Sequence, residues 1–96
     1  MNAVNALISN VSETWAINVD LKKRTVGFLD RRYAGKTAGW KFGQPVATYY
    51  IDTILEHKDG CALSLWLDIP SWTVSAEDMT ETKKQLKSYR ETFLRA

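Results

Sequence analysis

Cys61, Leu63, Leu65, Leu67 and Ile69 alternate with Ala62, Ser64, Trp66 and Asp68 without a break. Successive side chains of an extended chain point to opposite faces, so this run predicts a strand with one apolar side. Such a strand needs neighbours to pair with and a layer to cover its leucines, which restricts the chain to sheet-containing folds. His57-Lys58-Asp59-Gly60 before it is a turn signal, and Pro70 ends it.

The neighbours are legible upstream. Trp15, Ile17, Val19 and Leu21 alternate with Ala16, Asn18 and Asp20, and Val26 and Phe28 continue the pattern within 24–30. With Lys22-Lys23-Arg24 as a polar turn, the two runs predict a hairpin. Pro45 fits the start of a third strand, and Val46–Glu56 is rich in β-branched and aromatic residues. Helix is the alternative over Tyr49–Leu55, whose spacing also suits a helical face.

The covering layer is expected from both ends. Val4, Leu7, Ile8 and Val11 fall at helical spacing, which predicts a short helix over Asn2–Val11. Ser75 with Asp78 three residues on resembles a capping box that opens a last helix. There Met79, Leu86 and Phe93 form a narrow apolar stripe, and charges run from acidic Glu77, Asp78 and Glu81 to basic Lys83, Lys84, Lys87, Arg90 and Arg95. The expected fold is α+β, a four-stranded antiparallel sheet with a short N-terminal helix and a long C-terminal helix on one face, in the order α-β-β-β-β-α.

Ninety-six residues make one domain, 1–96. Apolar residues at 45% and charged residues at 25% argue against disorder. No run approaches the roughly 18 apolar residues of a membrane helix. Met1–Val11 carries no Lys or Arg, unlike a secretory signal, and Cys61 is the single cysteine. A cytoplasmic protein with no membrane attachment is expected.

Two surfaces stand out. With the leucines of 63–67 inward, joined by Trp15, Ile17, Val19, Val26, Phe28, Tyr49, Ile51 and Leu55, the opposite parity places Asp20, Tyr50, Asp52, Ile54, Glu56, Trp66 and Asp68 outward. Aromatic anchors among carboxylates suit a protein partner with basic residues; the alternative is that this side is covered and Trp66 is core. The second surface is 22–41, where seven cations face one carboxylate and Tyr33, Trp40 and Phe42 lie within or just beyond it. Arg31, Arg32, Lys36, Trp40 and Lys41 there are the candidate nucleic-acid contacts, since cations neutralise phosphates and rings stack on bases. Carboxylates on the sheet face would repel phosphate. A solvated hairpin end with loop aromatics at the sheet edge is the structural alternative.

Catalytic patterns are incomplete. Gly35-Lys36-Thr37 ends like a phosphate-binding loop, but Asp30 stands where its first glycine belongs. His57, Asp59 and Cys61 cluster at a turn, yet one His and one Cys do not complete a familiar zinc set. Asp52 and Glu56 could do acid–base work only in a pocket that shifts one of them. The expectation is a non-catalytic binding protein without metal or cofactor. It would occupy a surface of a larger nucleic-acid-handling protein complex, as an inhibitor or accessory factor of a phage or other mobile element. The alternatives are a nucleic-acid-binding domain using 22–41 and a structural module that forms a homodimer or larger homo-oligomer.

Overall fold

A computed structural model of the chain describes residues 6–33, 46–65 and 72–95. Four strands form an antiparallel sheet in chain order: β1 (Ala6–Asn10), β2 (Trp15–Asp20), β3 (Thr25–Asp30) and β4 (Ala47–Tyr50). A short helix α1 (Ile51–Leu55) follows directly. A two-stranded ribbon, β5 (Leu63–Ser64) with β6 (Thr73–Val74), precedes the long helix α2 (Ala76–Arg95). The α+β class, the four-stranded antiparallel sheet and the C-terminal helix are those expected from the sequence.

The β2–β3 hairpin follows the alternation. Ile17 pairs with Phe28 and Val19 with Val26, and all four are fully buried. Phe28 sits edge-on to Trp15, with centroids 6.4 Å apart, and to Tyr49, 6.1 Å away, so one ring joins β2 and β4. Ile51, Ile54, Leu65, Val74, Met79 and Leu86 close the core from the helices and the ribbon. The Trp15 indole Nε1 donates to the Thr73 carbonyl at 3.3 Å, which fastens the ribbon to the sheet.

Three expectations are corrected. Residues Ala6–Asn10 form a strand, not a helix: Leu7 pairs with Val19 and Ser9 with Ile17 on the core face. The inward position that looks wrong for a strand, Ser9, donates its hydroxyl to Gln85 Oε1 on α2 at 2.7 Å. A strand along β2 satisfies a whole ladder of backbone groups, which five residues of helix cannot match. Second, the extended reading of 46–56 ends at Tyr50. Beyond it Ile51 and Ile54, three residues apart, both turn inward, the spacing of a helical face. Third, the fourth strand of the sheet is β1, whereas Leu63–Ser64 pairs, among the described residues, with Thr73–Val74 alone. Leu65 is nonetheless buried as expected; Leu67 and Ile69 lie outside the described residues.

The start of α2 follows its signal in part. Asp78 N–H donates to Ser75 Oγ at 3.1 Å, the expected cap. The Asp78 carboxylate leaves the box and accepts the Ser12 hydroxyl at 3.1 Å. Ser12 Oγ also accepts the N–H groups of Thr14 and Trp15, so one hydroxyl orders the β1–β2 turn and ties it to α2.

Candidate protein-interaction face

The core takes one face of the sheet, and the register defines the other. Its cross-strand rows are Ala6–Asp20–Thr25–Tyr50, then Ile8–Asn18–Gly27–Thr48, then Asn10–Ala16–Leu29. Ala16 and Leu29 are buried, whereas Ile8, Thr48 and Tyr50 are exposed. At 59% and 67% exposure, Ile8 and Tyr50 are the large apolar side chains most open to solvent among the described residues. They stand on opposite edge strands, three strand spacings or about 14 Å apart across the sheet, and are offset by two residues along it. Between them Gly27 has no side chain to raise the floor, and Asn18 Oδ1 is buried without a hydrogen-bond partner.

The predicted outward set divides on this geometry. Asp20 and Tyr50 fall on this face, the parity expected for them, and the register puts them in one row. Ile54 does not belong: it is 1% exposed and packs in the core, because the chain has become helical. Asp52 and Glu56 are exposed but belong to α1 and its C-cap, beyond the end of β4. Asp52 there pairs with Arg90 at 3.5 Å. Trp66 and Asp68 lie outside the described residues. Sequence reasoning missed Ile8 and Thr48. The alternation of Leu7 and Ser9 with Ile8 and Asn10 carried the signal for Ile8, masked by the helical spacing of Val4, Leu7, Ile8 and Val11.

Of the basic candidates, Arg31 and Arg32 are engaged within the fold. Arg31 Nη1 donates to the Ser12 carbonyl at 2.6 Å. Arg32 grips the buried Asp30 carboxylate with Nε at 2.8 Å and Nη2 at 2.5 Å, and its backbone N–H reaches the same carboxylate at 3.0 Å. Lys36, Trp40 and Lys41 lie outside the described residues. Lys22, Lys23 and Arg24 are exposed at the tip of the β2–β3 hairpin. Asp20 Oδ1 accepts the Lys23 N–H at 3.0 Å and shapes that turn. Arg24 closes it with φ of 60°, and its carbonyl accepts the Ile51 N–H at 2.9 Å, which sets the tip against the β4–α1 corner.

The His57–Asp59–Cys61 turn assembles differently from a reactive cluster. His57 Nε2 donates to the Cys61 carbonyl at 3.2 Å, and Asp59 pairs with the Lys83 ammonium. That hydrogen bond and charge hold the Asp59 carboxyl below its usual range, with Lys87 and His57 adding smaller effects and desolvation opposing them. The pair borders an open groove of about 640 Å³, where Lys84 and Lys87 of α2 also lie. No group of three or more His, Cys, Asp or Glu residues suited to a metal ion occurs among the described residues. No described helix is long and apolar enough to cross a membrane. Comparison with protein families, with characterised proteins and with solved structures finds no match.

Proposed function

We propose that this chain is a small, non-catalytic binding protein that occupies a surface of a larger protein through the second face of its sheet. The observation that carries the reading is the exposure of Ile8 and Tyr50 on that face, on either side of a low centre at Gly27. Large apolar side chains held on a rigid sheet lose little freedom when a partner covers them, and aromatic residues dominate interface energetics. A role as an inhibitor or accessory factor of a nucleic-acid-handling complex is one form of this function.

The test is affinity capture with the tagged chain beside its Ile8→Lys/Tyr50→Ala variant, both checked for an unchanged melting profile. A protein held by the wild type and lost by the variant supports the proposal. Equal capture by both, or dependence of the contact on Asp52 and Glu56 instead, removes this face from consideration.

A further inference from the structure

The corner where the β2–β3 hairpin meets the β4–α1 junction gathers charge beside an exposed ring. Tyr50 lies opposite Thr25 in the register, one residue from Arg24. The Ile51 N–H to Arg24 carbonyl bond holds the two backbones together there. Lys22, Lys23 and Arg24 are exposed at the tip, and Arg90 of α2 approaches from the far side through Asp52. The two carboxylates of the corner are both occupied: Asp20 caps the hairpin turn and Asp52 pairs with Arg90. Lys22, Lys23 and Arg24 are thus exposed at the tip, Arg90 is held by Asp52, and the neighbouring aromatic ring is 67% exposed.

We propose that this corner binds single-stranded nucleic acid, with Lys22, Lys23 and Arg24 contacting phosphates and the Tyr50 ring stacking on one base. Of the carboxylates near Tyr50, Asp20 in the same row accepts the Lys23 N–H and Asp52 pairs with Arg90, whereas Glu56 lies at the C-cap of α1. Every base offers a ring face and every nucleotide a phosphate, so a lone tyrosine beside three cations binds single strands with little sequence preference. Double-stranded DNA keeps its bases stacked on each other and offers Tyr50 nothing equivalent. An acidic protein would use the cations but not the ring. The inference shares Tyr50 with the proposed protein contact and adds residues that contact does not use.

The experiment is fluorescence anisotropy with a labelled oligothymidylate of about fifteen nucleotides, titrated by the whole chain at low salt. Binding is expected, with a log–log salt slope of about −1.4 to −2 for two or three neutralised phosphates. Lys22→Glu/Lys23→Glu should weaken it at least about ten-fold, Tyr50→Ala about ten-fold, and Tyr50→Phe little. Lys22→Gln/Lys23→Gln gives the same reading with less charge change should the Glu variant fold poorly. Ile8→Ser, which adds no charge, should bind the oligonucleotide normally, which separates this site from the protein-docking face. No binding at low salt overturns the inference, as does binding indifferent to Lys22, Lys23 and Tyr50. Equal competition by duplex DNA or by polyglutamate also overturns it, in favour of a merely electrostatic surface.

Discussion

Gly60 stands where the backbone turns into the left-handed region, with φ of 79°, between α1 and β5. A Cβ built there meets nothing within 4 Å, so the cost of adding one is conformational and not steric. An L side chain in that region loses roughly 1–2 kcal/mol, partly offset by the smaller entropy of the unfolded alanine chain. Gly60→Ala should therefore lower stability by about 1 kcal/mol in urea denaturation, without changing the slope of the transition. Arg24 occupies similar backbone space, at φ of 60°, without glycine's freedom. Its carbonyl is tied to Ile51. Asp20 Oδ1 already orders the same turn, and the surrounding hydrogen bonds hold a conformation the residue itself disfavours.

The short helix α1 is where element-level reasoning matters most, because strand and helix assign Ile54 to opposite environments. Helical geometry buries Ile51 and Ile54 and leaves Asp52 and Thr53 exposed. Strand parity would bury Thr53 with Ile51 and Leu55 and turn Ile54 outward. Ile54→Ala should cost about 2–5 kcal/mol as a core truncation, and Thr53→Ala within about 0.5 kcal/mol as a surface change. Thermal or urea unfolding of the two variants decides it, and the reverse order would restore the strand. The contrast explains what the sequence made legible. The β2–β3 hairpin and α2 are long enough for their periods to be unambiguous, and both are found. β1 and α1, at five residues each, are shorter than the window in which period 2 and period 3.6 diverge. Tertiary partners settle them: β2 for one strand, and the core contacts of Ile51 and Ile54 for the helix. Of the candidate face, Asp20 and Tyr50 were legible because their parity was already fixed. Ile8 was hidden by the misread period, and the engagement of Arg31 and Arg32 depends on contacts no spacing announces.

At the scale of the whole molecule, one ion pair joins the turn after α1 to the long helix. Lys83 is 7% exposed, and its ammonium donates to the His57 carbonyl at 2.7 Å and to the Asp59 carboxylate. The burial is lopsided, for the Asp59 side chain is 89% exposed. Removing the lysine leaves a carboxylate that water solvates, whereas removing the carboxylate leaves a buried ammonium short of its counter-ion. Asp59→Asn should therefore lower the urea midpoint at neutral pH more than Lys83→Met does, even though the lysine is the buried member. The pH dependence follows from the sign of the shift. Lys83 lowers the Asp59 pKa in the folded state below its ordinary value of 3.8. The unfolded chain thus takes up the proton first as pH falls, and the stabilisation is present above about pH 4 and lost as pH drops through the folded value. The gap between wild type and Asp59→Asn should be constant from pH 5 to 7 and close as the solution is acidified below about pH 4. A gap that persists unchanged in acid would mean that Asp59 acts through shape alone, and that the buried ammonium is held by the His57 carbonyl without help from charge.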